Sequence, residues 1–138
     1  MISLLIGTKG SGKTKAFIEK IEEAKRNEKG NIVCISKGGR LRTSLSHHVR
    51  LIEIDGFDIS SYKVFYGLIC GVISTDFDTT HIFIDRITRL ISDDIDAFSK
   101  FMYYIEELSE KLGVSFTISV SAELDAVPEA LTKLSVQF

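Results

Sequence analysis

The stretch that decides the fold is ISLLIGTKGSGKT at residues 2–14. Its first part, residues 2–6, is short and consists mostly of Ile and Leu, which predicts a buried strand. The residues after Gly12 predict a helix over 13–29 that stops at Gly30, because apolar side chains recur on one face at Phe17, Ile21 and Ala24. The glycines therefore lie in a turn between a strand and a helix.

This turn has the residues that a polyphosphate site needs, in the order Gly7-Thr8-Lys9-Gly10-Ser11-Gly12-Lys13-Thr14. Glycines let the main chain come close to a ligand, so that backbone N–H groups and the positive helix N-terminus face its oxygens. A lysine at position 13 suits the β- and γ-phosphates, and a threonine at position 14 suits Mg²⁺. We expect all residues from Gly7 to Thr14 to bind nucleotide, with Lys13 also catalytic and Thr14 also a metal ligand.

The spacing G-x-x-x-x-G-K-[ST] resembles the Walker A loop of the P-loop NTPases. The resemblance covers roughly the first 30 residues and implies an ATP ligand, Mg²⁺ and a three-layer α/β fold. Partitioning and cell-division-site ATPases similar to MinD carry an extra lysine at the position that Thr8 occupies here, so Lys9 is interpreted as a surface residue or an auxiliary phosphate contact. No N-K-x-D motif for guanine is present, which favours adenine.

The rest of the chain alternates predicted strands and helices. Strands are predicted at residues 31–36, 49–54, 81–85 and 114–120, and helices at 61–74, from 92–94 to 112, and at 128–133. This order predicts one nucleotide-binding domain over 1–138, with a mostly parallel sheet of about five strands and helices on both faces. The helix over 61–74 is apolar nearly all round, so we expect it to be covered on both sides, with self-association as the alternative. The short connection over 37–48 leaves the sheet position of strand 49–54 open.

A second motif, His81-Ile82-Phe83-Ile84-Asp85, resembles a Walker B strand. The resemblance implies that Asp85 orients Mg²⁺ together with Thr14. In many hydrolytic P-loop ATPases of the RecA-like kind a glutamate follows this aspartate, but Arg86 stands there in this chain. A general base would then come from Glu53 or Asp55 at the end of the neighbouring predicted strand, or water would be activated poorly.

Two polar segments give further candidates. Residues 37–50 contain four Lys or Arg, two His and no acid, which predicts attraction of an anionic partner, with a solvated basic loop as the alternative. Ser119 and Ser121 follow the last predicted strand and either sense the γ-phosphate or are plain polar residues at a strand end.

Composition limits the function classes. The 138 residues carry a net charge of -2, which argues against a globally basic nucleic-acid or membrane-surface binder. The longest apolar run, residues 64–73, is far shorter than the ~20 residues of a membrane-spanning helix. Since no secretory signal precedes the first predicted strand, we expect a cytoplasmic protein without a membrane partner. Cys34 and Cys70 lie in apolar contexts and are predicted to be reduced core thiols.

The leading functional hypothesis is an ATP-binding protein that hydrolyses ATP slowly with Mg²⁺ or uses it as a switch. One alternative is a small-molecule or nucleoside kinase similar to thymidine kinase, although two cysteines do not make the zinc lobe of that family. Another is an ATP-dependent motor or nucleic-acid-associated ATPase, resembling the pilus-retraction ATPases in its loop alone. A second copy of the chain is a further candidate partner.

Overall fold

The computed structural model describes residues 1–138 and shows an α/β architecture with a five-stranded, all-parallel sheet. The strands are β1 (Ile2–Gly7), β2 (Asn31–Ser36), β3 (Val49–Glu53), β4 (Thr79–Ile84) and β5 (Ser115–Ser121), in the spatial order β1-β5-β4-β2-β3. The helices are α1 (Lys13–Asn27), α2 (Tyr62–Thr75), α3 (Ile87–Leu90), α4 (Ile95–Leu112) and α5 (Glu129–Thr132), with a 3₁₀ turn at Leu124–Ala126.

The predicted strands are confirmed to within one or two residues at each end. The strand whose position the sequence left open is β3, which pairs in parallel with β2 at the edge of the sheet. Residues 37–48 make that connection through turns, without a crossover helix. Within this connection Gly38 and Gly39 both adopt positive φ, at 81° and 68°, a conformation that favours glycine.

Helices pack on both faces of the sheet. On one face, α1 buries Phe17, whose ring meets that of Phe83 edge-on at a centroid distance of 5.7 Å. On the other face, α2 and α4 pack against each other through aromatic side chains, including Tyr62 and Phe101 at 5.2 Å. Residues of one strand alternate between the two cores, as Leu4 and Leu5 of β1 do, because successive side chains of a strand point to opposite faces.

Three details of the sequence interpretation are corrected. Helix α2 is covered on one side only, since Val64 on its outer face is 49% exposed. Of the two cysteines predicted to lie in the core, Cys34 is fully buried but Cys70 is only half-buried. Helix α1 ends at Asn27 and is capped by Glu28, so Gly30 is not its cap. Gly30 is required for another reason, because a Cβ there would overlap the Thr80 side chain and lie 2.5 Å from the carbonyl oxygen of Asp78.

The parallel sheet brings the carboxyl ends of all strands to one edge. The register pairs Gly7 of β1 with Ser121 of β5, and Ile84 of β4 with both Ile118 of β5 and Ile35 of β2. The loop after β1, the carboxylate after β4 and the connection after β2 therefore meet at that edge, where ligands bind in open α/β sheets. None of the helices is both long and apolar enough to cross a membrane.

Candidate functional site

The glycine-rich loop, residues 7–12, joins β1 to α1 at this edge. Gly10 and Gly12 both have φ of 86°, a left-handed conformation that favours glycine, and Gly12 is the N-cap of α1. No side chain caps the helix there, so its first backbone N–H groups remain available to an anion. At Gly7 a Cβ would lie 2.5 Å from Ser11 Oγ, so the Ser11 hydroxyl would have to move to accept a larger residue.

A cavity of about 440 Å³ opens beside this loop, and its lining contains no hydrophobic residue. Six of the lining residues are cations and none is an acid: the cations are Lys9, Lys13, Lys15, Arg40, Arg86 and Arg89. The others are Thr8, Gly10, Gly12, Thr14 and Ser121. Like charges gathered around one space repel each other, so a multiply charged anion would stabilise the arrangement.

Lys13 lies at the base of this cavity and is 7% exposed. Its Nζ donates to Ser121 Oγ at 3.2 Å. Burial lowers the pKa of Lys13 below 10.5; Asp85 opposes that shift, and Arg86, Arg40 and Arg89 add to it. A phosphate beside the ammonium would favour its charged form.

Asp85 follows β4 and is 2% exposed, so its carboxylate needs partners. Oδ2 accepts from Arg40 Nη1 at 2.7 Å and from Ser36 Oγ at 3.0 Å. Oδ1 has only a long contact with Ser119 Oγ, at 3.5 Å. One carboxylate oxygen is therefore fully occupied and the other is nearly free.

Arg40 also links Asp85 to the glycine-rich loop. Its Nη2 donates to Thr14 Oγ1 at 2.8 Å, while Nη1 bonds Asp85. The two residues predicted to bind Mg²⁺ are thus held by one guanidinium. A hydroxyl and a carboxylate are the oxygen ligands that Mg²⁺ prefers, and this ion usually takes its remaining ligands from phosphate and water. The donor set fits that ion, although no cluster of three or more His, Cys, Asp or Glu side chains is present.

Arg86 has the only positive φ of a non-glycine residue in the chain, at 48°. Its backbone N–H donates to Ser119 Oγ at 2.6 Å, which holds the turn in this conformation. Its Nε atom is buried without a hydrogen-bond partner, 3.9 Å from Asp85 Oδ2. The turn therefore holds the Arg86 guanidinium beside the Asp85 carboxylate.

Glu53 and Asp55, the candidate general bases, do not line the cavity. Glu53 Oε1 accepts from Arg42 Nε at 2.7 Å. Asp55 accepts the backbone N–H of Gly38 through both carboxylate oxygens, at 3.0 and 3.2 Å. Asp55 lines a second cavity of about 300 Å³, whose other lining residues are Lys37, Gly38, Asp85, Arg86, Arg89 and Leu90.

The basic segment 37–50 is partly neutralised by this chain's own acids. Arg40 pairs with Asp85 and Arg42 with Glu53, while Lys37 and Arg50 are in no ion pair. Leu41 between the two arginines is 1% exposed and packs in the core beside α1. The segment is therefore anchored at its centre.

Sequence reasoning found the glycine-rich loop, Lys13, Thr14 and Asp85, and the structure brings these together at one edge. It did not assign roles to Ser36, Lys15 or Arg89, because no motif in the sequence around these residues predicts a function for them. The role of Ser36 could have been predicted from the strand ends. Ser36 ends β2 and Asp85 directly follows β4, and the carboxyl ends of parallel strands lie at the same edge of the sheet. The chain matches no protein-family model, and no curated protein matches its sequence.

Proposed function

We propose that this chain is a P-loop protein that binds ATP with Mg²⁺ and hydrolyses it slowly or uses it as a switch. The observation that carries the proposal is the cavity beside the glycine-rich loop, with six cations and no acid in its lining. A triphosphate supplies the negative charge that such a lining lacks. The loop's backbone N–H groups and the N-terminus of α1 add partial positive charge at the same place.

Each residue then has a defined task. Lys13 contacts the β- and γ-phosphates, and Ser121 holds the ammonium by the 3.2 Å contact. Thr14 and Asp85 would hold Mg²⁺, which neutralises phosphate charge when it is bound. Lys9 and Lys15 lie at the cavity wall and contribute charge without fixed geometry.

Slow hydrolysis follows from the absence of a free carboxylate at the cavity. A general base must reach the attacking water within hydrogen-bond distance. Glu53 is bonded to Arg42 and Asp55 to Gly38, and neither lines the cavity. Arg86 supplies positive charge where a base would stand, so it can stabilise phosphate oxygens but cannot accept a proton.

A phosphotransferase remains the second candidate because a second cavity shares Arg86 and Arg89 with the first. The shared arginines would lie between a bound triphosphate and an acceptor. Asp55 and Lys37 in the second cavity would then orient an acceptor hydroxyl. Transfer to a nucleoside or other small acceptor, measured against hydrolysis in the same reaction, separates this function from an ATPase.

The first test is ATP binding, measured by calorimetry and by thermal unfolding with and without Mg²⁺. Ligand at ~100 times its Kd stabilises a protein by about 2.7 kcal/mol, a shift that unfolding readily detects. Lys13→Ala should lose most of this shift. Lys20→Ala, on the same helix but outside the cavity lining, is the matched control and should keep it. Equal shifts in the two variants would show that ATP does not bind at this loop.

A further inference from the structure

The Arg40 guanidinium lies between the two groups that the proposed function assigns to Mg²⁺. One of its nitrogens bonds Asp85 Oδ2 at 2.7 Å and another bonds Thr14 Oγ1 at 2.8 Å. The Arg40 side chain is 25% exposed, and it also forms part of the cavity wall. A single side chain thus contacts both metal-binding candidates and the space where a phosphate would lie.

The surrounding structure positions Arg40 and does not leave it free on the surface. Gly38 and Gly39 form the turn before it with positive φ, and the Gly38 N–H is held by the Asp55 carboxylate. Leu41, directly after it, is buried in the core beside α1. Arg42 emerges from the same turn but bonds Glu53 instead, away from the cavity lining. The backbone therefore fixes which of the two arginines reaches Asp85.

A guanidinium and a divalent cation cannot occupy the same two oxygens, Asp85 Oδ2 and Thr14 Oγ1, at the same time. Both are positive, and Asp85 Oδ2 already accepts two hydrogen bonds, from Arg40 and Ser36. Thr14 Oγ1 is likewise occupied by Arg40. The buried Asp85 carboxylate needs a positive partner at all times, because an unpaired buried charge is strongly unfavourable. Arg40 meets that need in the structure, and a bound Mg²⁺ would also meet it.

We infer that Arg40 competes with Mg²⁺ for Asp85 and Thr14, and that binding of Mg²⁺ with nucleotide moves the guanidinium to the terminal phosphate. This inference rests on the proposed function and names the regulation of that site. Arg40 then acts as a positioning residue that keeps Asp85 paired without metal and joins the phosphate contacts with metal. A guanidinium suits both tasks, since its fork matches carboxylate and phosphate oxygens alike.

The test compares wild type, Arg40→Ala and the matched control Arg42→Ala. ATP affinity is measured by calorimetry in EDTA and over a series of Mg²⁺ concentrations, and thermal unfolding is measured in EDTA and in Mg²⁺. Mg²⁺ raises the ATP affinity, and the Mg²⁺ concentration that gives half of this increase is the quantity compared. In Arg40→Ala this concentration should fall roughly tenfold, because the competing ion pair is removed. Its melting temperature in EDTA should drop because Asp85 loses its positive partner, and its ATP affinity at saturating Mg²⁺ should drop because the phosphate contact is lost. Arg42→Ala should match wild type in its Mg²⁺ response.

A second measurement uses the wild-type protein, so it does not depend on whether Arg40→Ala folds. Guanidinium NMR signals of Arg40, assigned with Arg40→Lys, should shift on addition of Mg²⁺ with a non-hydrolysable ATP analogue. The Arg42 signals should stay in place. Unmoved Arg40 signals in the complex would overturn the inference.

The two proposals fail in different ways. If wild type binds no ATP, or binds it independently of Lys13, the proposed function is wrong. If ATP binds through Lys13 but Arg40→Ala and Arg42→Ala show the same Mg²⁺ dependence, the inference that Arg40 competes with Mg²⁺ is wrong. The proposed nucleotide site is unaffected by that result. A higher Mg²⁺ requirement in Arg40→Ala would also overturn the inference, because it would show that Arg40 promotes Mg²⁺ binding.

Discussion

Ser36 Oγ donates a hydrogen bond of 3.0 Å to Asp85 Oδ2, and both residues are buried. The contact arises from topology, because β2 and β4 are neighbours in parallel register and Ile35 lies opposite Ile84. The residue that ends one strand therefore meets the residue that follows the other. The hydroxyl fixes the carboxylate in the orientation in which Arg40 reaches the same oxygen.

Ser36→Ala should destabilise the protein, because it removes a buried donor from a buried carboxylate. Hydrogen bonds to charged groups contribute about 1.5–3 kcal/mol, so a loss of that order is expected in urea-induced unfolding. Ser74→Ala is the control, since the Ser74 hydroxyl is exposed and bonds a carbonyl of its own helix. The control should change stability by less than about 0.5 kcal/mol. Equal stability of the two variants would contradict a role for Ser36 in supporting Asp85.

Asp85→Asn should keep ATP binding in EDTA and lose the gain in affinity that Mg²⁺ provides. The backbone N–H groups and Lys13 survive the change, whereas the anionic metal ligand does not. A reduction of the Mg²⁺ effect by about tenfold or more is expected from the loss of a group that orients a metal. Asp55→Asn is the matched control, because the Asp55 carboxylate bonds the Gly38 N–H and contacts neither Arg40 nor Thr14. An unchanged Mg²⁺ dependence in Asp85→Asn would exclude the metal role.

Glu53→Gln and Asp55→Asn should leave any ATP turnover close to the wild-type rate. Both carboxylates are bonded within the protein, and neither lines the nucleotide cavity. Loss of a true general base lowers the rate by about 100-fold or more. Steady-state phosphate release is the measurement, and a loss of that size in either variant would identify the substituted residue as the general base.

The His81 side chain should make the protein less stable in mild acid. Burial lowers its pKa below 6.5, and Glu28, which contacts Nδ1 at 2.7 Å, offsets part of that shift. The positive N-terminus adds to the lowering, and Thr117 bonds the other ring nitrogen at 2.8 Å. The unfolded chain therefore takes up a proton at a higher pH than the folded chain does.

The sign of the effect follows from this order of protonation. The contribution of His81 to stability is complete above pH 6.5 and is lost as the pH falls from 6.5 towards the folded pKa. Unfolding free energy measured between pH 7 and pH 5 should therefore fall less steeply in His81→Gln than in wild type. His48→Gln, at an exposed position, should follow wild type. An NMR titration that places the folded His81 pKa above 6.5 would contradict the prediction.

Local signals were sufficient for most of the secondary structure. Short runs rich in β-branched residues predicted the strands. Helix α4 was predicted by the spacing of its apolar residues, Ile95, Phe98, Phe101, Met102 and Ile105. Asp94 caps that helix by accepting from the Ala97 N–H at 2.7 Å, as its position before the apolar pattern predicts. Helix α3 was missed because four residues carry no periodicity and its N-cap is Arg86, a residue rarely found with positive φ.

The sequence by itself determined the parallel α/β class, the glycine-rich loop between β1 and α1, and the candidates Lys13, Thr14 and Asp85. These depend on neighbours in the chain, where hydrophobic spacing and the conformational freedom of glycine act directly. Only the tertiary structure decided the strand order, the pairing of Arg40 with Asp85 and of Arg42 with Glu53, and the distance of Glu53 and Asp55 from the cavity. The reason is physical: two arginines separated by one buried leucine have the same local chemistry, and the packing of Leu41 determines which acid each can reach.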